Sequence, residues 1–433
     1  MSFFGLPDKA AITNTYFLTL LFCLPLAGTK ELFIFIVIGQ FIAAVLVWLF
    51  FRKDTIPVTT AIKLQFPLAF RFIIAWLIAI TVSYIILFFT SKNGWMTLAA
   101  TIRQLYIAIQ IAFCLSLLRF LAISGKSAKS IFLSFAFGVV TLTLVHFCIL
   151  YWGPYCGPAA WSVDPFLSPN MRDAGDLATA AIAIFGIMAW TGKKSLHSTT
   201  GFIGYIISWT YLLWSGGRIG IVSAMFVNVL ILAFLWHRQV IGINKITMTV
   251  LAFIIAFMLC EKLSIYDWNG FVRFSSEWQQ KTFQGDMTNG RMDAWIWSIK
   301  AWLQKPWFGL GPYSFYFIPT RFAQGYYHDH PHNVFIQCLV EWGIVGTALF
   351  LIFLSTLFIT GIKNLWQSSQ INPAFLASAA IISNLSISSL VSGSFWDYQP
   401  VMILVTAFAI FPALPKLKSR ISHREDIHSG VAS

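Results

Sequence analysis

Three histidines occupy alternate positions in His328-Asp329-His330-Pro331-His332-Asn333, just ahead of a long apolar run whose first two glycines are Gly343 and Gly346. Titratable groups are costly at a membrane edge, so a cluster there points first to function. Three chemistries fit. An extended chain would put His328, His330 and His332 on one side, as metal ligands require. A neutral imidazole, with an ordinary pKa near 6.5, can take a proton from a hydroxyl. A histidine could also simply cap the helix that starts at Asn333.

Two arginines are placed to meet an anion. Arg218 lies in Trp214-Ser215-Gly216-Gly217-Arg218-Ile219-Gly220, where a helix begins. Its guanidinium fork matches phosphate oxygens, the glycines let backbone amides approach, and a helix N-terminus favours negative charge. An interfacial arginine on lipid headgroups fits the same position. Arg291, in Asn289-Gly290-Arg291-Met292-Asp293, starts a second helix at the end where the dipole disfavours a cation. A bound anion would offset that, and so would Asp293 or Asp286. Arg172 has Asp173 and Asp176 beside it, and Asp397 is an acid in an apolar setting near the C-terminal end.

The elements that must hold these groups are membrane helices. Of 433 residues, 58% are hydrophobic and only 10% charged, against roughly 25% charged in soluble domains. Twelve spans are expected, near 11–28, 31–51, 69–89, 104–123, 131–152, 177–192, 198–214, 218–236, 246–260, 333–361, 373–392 and 399–414. The fold class is therefore an all-α polytopic membrane protein. Its parts are nine helices in 1–260, a large loop at 261–332, three helices in 333–414 and a tail at 415–433. Arg52, Lys53, Arg119, Lys126, Lys193, Lys194, Arg238 and Lys363 fall in loops of one side. That excess marks the cytoplasmic side and leaves 261–332 outside. The net charge of +13 thus anchors topology and needs no nucleic acid. Six scattered cysteines without CxxC spacing read as small hydrophobes.

Loops beyond about 15 residues are usually functional or disordered, and 261–332 is rich in tryptophan. Within it Met292, Trp295, Ile296, Ile299, Trp302 and Leu303 follow helical spacing, with Asn289 as N-cap and Pro306 as stop. An amphipathic helix on the outer membrane surface is predicted. The topology also puts 153–176, Ser215–Gly220 and Ser392–Gln399 on the outer side. Arg172, Arg218, Arg291, Asp397 and the histidines then share one face.

His332-Asn333, nine residues, Gly343, two residues, Gly346 resembles the signature of the O-antigen ligase family: His-(Asn/Ser/Gln), nine residues, Gly-x-x-(Gly/Thr/Tyr). Pro306-Trp307-Phe308-Gly309-Leu310-Gly311 looks like the Pro-x-x-Gly-x-Gly stretch that precedes it there. Arg218 and Arg291 match the family's two arginines in order and spacing, and Pro169-Asn170 resembles its Pro-Asn element. The resemblance spans roughly 165–350. It implies a metal-independent glycosyltransferase of GT-C-like architecture in the bacterial inner membrane, with its site facing the periplasm and no cofactor. Its donor would be an undecaprenyl-diphosphate-linked glycan. His332 would be the base and Arg218 and Arg291 would stabilise the leaving diphosphate, with Arg172, Asn333, His330 and Asp397 on the substrates. Asn333 or Asp397 would orient the imidazole. The acceptor would be lipid A-core, for a ligase, a second lipid-linked repeat, for a polymerase, or a pilin. A flippase for such glycans predicts charges lining a midplane cavity instead.

Overall fold

The computed structural model describes residues 8–27, 30–51, 67–124, 127–152, 171–264, 291–318, 330–368, 371–393, 395 and 397–411. Among the described residues the regular structure is helical, without strands. The helices are α1 (Lys9–Cys23), α2 (Lys30–Phe51), α3 (Pro67–Thr90), α4 (Gly94–Ser124), α5 (Ala128–Trp152), α6 (Met171–Thr191) and α7 (Ser195–Ser215). They continue as α8 (Arg218–His237), α9 (Ile243–Leu263), α10 (Arg291–Trp302), α11 (Val334–Gln367), α12 (Pro373–Ser388) and α13 (Tyr398–Ile410). Each of the twelve expected spans coincides with one of these, α10 being the helix predicted inside the long loop. Nine are long and apolar enough to cross a bilayer unaided. The protein is an all-α, multi-pass membrane protein.

α6 is the central post. From Ala174 to Thr191, 94% of its residues are buried, against 22% for α9, and a helix apolar all round belongs inside a bundle. Ala174, Ala178, Ala180, Ala181, Ala183 and Ala189 keep it thin. α7 comes close because Gly201 and Gly204 face it. A Cβ on Gly201 would stand 2.5 Å from the Ala189 amide, and one on Gly204 2.5 Å from the Phe185 ring. Small residues allow such backbone approach between membrane helices. At the rim, Ile34, Phe35, Ile78, Phe89, Val229 and Met258 point outward, as lipid-facing residues should.

Two features of this bundle position the site. α7 ends in Gly216, whose left-handed φ of 66° turns the chain so that Gly217 caps α8 and Arg218 becomes its first residue. α12 stops at Ser388, short of the predicted 392, because the Ser389 carbonyl is diverted to the Val334 N–H at the head of α11. The ends of α12 and α11 are thereby joined.

Candidate functional site: a histidine turn on a broken helix

α11 starts with Asn333, whose side chain accepts hydrogen bonds from the N–H groups of Phe335 and Ile336 at 2.9 and 3.1 Å. The cap is therefore the asparagine, not a histidine. Just before it, His332 has φ of 52°. His is one of the few non-glycine residues that visit this region, at a cost of roughly 1–2 kcal/mol. The turn is held from within: the His332 N–H donates to His330 Nδ1 at 3.2 Å, and the two rings meet edge-on with centroids 4.1 Å apart. The expected alternation on extended chain is thus corrected, because the left-handed turn folds His332 back onto His330. His328 lies outside the described residues.

Accepting at Nδ1 leaves a neutral His330 with its proton on Nε2. That nitrogen faces Asp397, 4.0 Å away. Gly393 forms the wall behind: a Cβ there would collide with the His330 ring and stand 2.7 Å from Asp397 Oδ2. Next to Asp397, Tyr398 meets Tyr106 of α4 edge-on at 5.7 Å. The guanidinium of Arg103, a buried cation, lies 5.3 Å from the Tyr106 ring centroid. His330, His332, Asn333, Val334, Gln337, Ser392, Gly393 and Phe395 enclose a cleft.

The helix that carries this turn is broken ten residues on. Gly343 has φ 65° and ψ −172°, which interrupts α11. Pro306–Gly311 fills the break. The N–H groups of Leu310 and Gly311 donate to the carbonyls of Val340 and Glu341, while those of Ile344 and Val345 donate to the carbonyls of Pro306 and Trp307. Four backbone groups that the break would orphan are thereby satisfied. Ser83 of α3 adds a 2.7 Å bond to the Glu341 carbonyl. The approach needs glycine on both sides: a Cβ on Gly309 would be 2.6 Å from the Gly343 nitrogen, and one on Gly343 would meet the Trp307 carbonyl. The Gly343 spacing and the Pro-x-x-Gly-x-Gly stretch are thus two halves of one clamp.

α10 docks on the clamp and on the histidine turn together. Ala294, Phe315, Ile318 and Val340 form a small core between them. Trp295 Nε1 donates to the Pro331 carbonyl at 2.7 Å. Arg291, half-buried, is one turn before Trp295 on the same helix face. The predicted stripe divides: Met292, Ile296, Ile299 and Leu303 are exposed, while Ala294 and Ser298 face inward. The helix ends at Trp302, a turn ahead of Pro306, whose carbonyl is occupied by Trp302 Nε1 and by the clamp. Asn289 lies outside the described residues.

Arg218 is exposed at the head of α8. Two residues on, a Cβ on Gly220 would stand 3.1 Å from Leu212, 3.3 Å from Thr179 and 4.0 Å from Asp176 Oδ1. Asp176 is buried and accepts from Ser388 at 2.8 Å, and Ser389 bonds Val334. A continuous run of contacts therefore links the head of α8 to the histidine turn. Arg172 is the second residue of α6, with its side chain outside the described part, as are Pro169 and Asn170. Residues 203–351 match the sequence model of a family described as O-antigen ligase. No curated protein matches the chain.

Proposed function

We propose that this chain, whose residues 203–351 match the O-antigen ligase family, is a glycosyltransferase of the ligase or polymerase type that moves a glycan from a polyprenyl-diphosphate carrier to an acceptor hydroxyl. The reading is carried by the histidine turn. His332 holds a sparsely populated backbone conformation, and its neighbours Pro331 and Val334 are tied to Trp295 of α10 and to Ser389 at the end of α12. Strain kept by surrounding structure is a recurrent mark of working residues.

In this mechanism His332 removes the acceptor hydroxyl proton as the oxygen attacks the anomeric carbon. The bond from that carbon to the diphosphate oxygen breaks, and its electron pair leaves with the diphosphate. Charge grows on the leaving group, so Arg218 and Arg291 stabilise the transition state more than the bound donor. Their fixed charges fill the role a divalent cation plays in other phosphate chemistry, and we infer that transfer is metal-independent. The lysine and arginine bias supports a site on the periplasmic side of the inner membrane. The match at every position of the His332–Gly346 motif favours lipid A-core as acceptor.

The test is single-turnover transfer of labelled lipid-linked glycan by purified protein. His332→Ala is expected to lower the rate about 10²–10⁴-fold without loss of membrane insertion, while excess EDTA leaves wild-type transfer intact. Near-normal turnover of His332→Ala, or an EDTA loss restored by Zn²⁺, would overturn this chemistry. Deleting the gene should leave polymerised glycan on its carrier and none on lipopolysaccharide. Lipopolysaccharide bearing single repeats would instead identify a polymerase.

A further inference from the structure

One side chain in the cleft has a hydrogen-bonding capacity that the mechanism leaves unused. Gln337 lies in the first turns of α11, lines the cleft with His332, and is only 3% exposed. Its Nε2 donates to the buried Glu341 carboxylate one turn further along. With Glu341 ionised its carboxylate only accepts, so Nε2 takes this bond and Oε1 is turned away from Glu341. Oε1 is buried and has no hydrogen-bond partner among the described residues. Of the cleft-lining side chains described, Gln337 is the one with such an atom. A buried carbonyl left unmet is expensive, and in a substrate cleft a partner that arrives with the substrate removes the cost.

The partner must be a donor, and its place beside His332 restricts what it can be. The diphosphate offers only acceptors, and its arginines are on α8 and α10, whereas Gln337 and His332 flank the same wall at the head of α11. Resting on His332 as the base, we propose that Gln337 is a specificity residue for the acceptor. Its Oε1 accepts a hydrogen bond from a hydroxyl adjacent to the one His332 deprotonates, so the acceptor sugar presents a vicinal diol. No proton moves along this bond: the reacting hydroxyl loses its proton to His332, and the neighbouring one keeps its own. The glutamine thereby rejects sugars that lack the second hydroxyl, since binding them leaves a buried acceptor unpaired.

The experiment uses purified full-length protein, labelled lipid-linked glycan from host membranes as donor, and a detergent extract of the same membranes as acceptor. Both substrates are titrated separately. Gln337→Met keeps the side chain's length and removes the acceptor atom. It is expected to raise the acceptor extract needed for half-maximal transfer about tenfold, with the saturated rate and donor dependence unchanged. The double variant Gln337→Met/Glu341→Met removes both partners of the buried pair, guards against a folding defect, and should show the same acceptor-selective shift. An unchanged acceptor dependence, an equal shift for the donor, a fall in saturated rate, or failure of both variants to fold would each overturn the proposal. His332→Ala is run alongside. If it alone retains transfer, the site reading fails; if it is inactive while Gln337→Met is unaffected, only the glutamine's role falls.

Discussion

His332 and Gly343 lie eleven residues apart, and both hold a left-handed backbone, with φ of 52° and 65°. Their surroundings make opposite demands. Gly343 is packed backbone to backbone against Trp307 and Gly309, with no room for a side chain, and glycine adopts this conformation at little steric cost. His332 is half-buried at the rim of a cleft, with its ring against His330, and its backbone conformation costs energy that a glycine would save. The first turn is an architectural device using the residue suited to it. The second keeps a residue for which the conformation is costly, and that residue carries the base of the proposed reaction.

Exchanging the demands gives the largest expected effects. His332→Gly should lose transfer by about 10²–10⁴-fold, yet melt in detergent no earlier than wild type, since the turn accepts glycine. A lower melting temperature would mean the ring is structural. Gly343→Ala should do the reverse: a strained φ plus collision with the Trp307 carbonyl costs more than about 2 kcal/mol. Thermal unfolding and the yield of inserted protein should both fall. Gly309→Ala attacks the clamp from its other side and should copy that loss. A well-folded Gly309→Ala protein would show that the clamp is not what holds α11.

Smaller effects refine the contrast. Gly393→Ala pushes on the far edge of the His330 ring and on Asp397, both able to shift. Transfer should fall by roughly tenfold through misplacement of the imidazole pair, with melting unchanged. Ser83→Ala removes one of two donors to the Glu341 carbonyl and should cost about 1 kcal/mol, with saturated transfer untouched. An activity loss there matching Gly393→Ala would mean that the clamp and the histidine turn act as one unit.

Much of this was legible in the residue order. Twelve apolar runs became twelve helices because a helix satisfies its own backbone in lipid whatever surrounds it. Helical spacing likewise located α10, and Gly216-Gly217 located the start of α8. Less was legible at the site. Alternation of His328, His330 and His332 suggested extended chain, yet the turn at His332 depends on the caps at Asn333 and the tie to Ser389. Neither is a local preference of histidine. Buried Arg103 looks ordinary among its sequence neighbours and acquires meaning from Tyr106 and, through it, Tyr398 far away in the chain.

The sequence by itself determined the class of molecule, where its apolar helices lie, with α4 starting ten residues ahead of the expected 104, and the motif that marks its family, because hydrophobic period and glycine placement act over one or two helical turns. Only the tertiary structure decided that Pro306–Gly311 inserts into α11, that Ser388 reaches Asp176, and that the Ser389 carbonyl meets the Val334 N–H. Each of those satisfies a buried polar group with one from elsewhere in the folded chain. Which partner is within reach is settled by how the helices pack, and residue order does not state that packing.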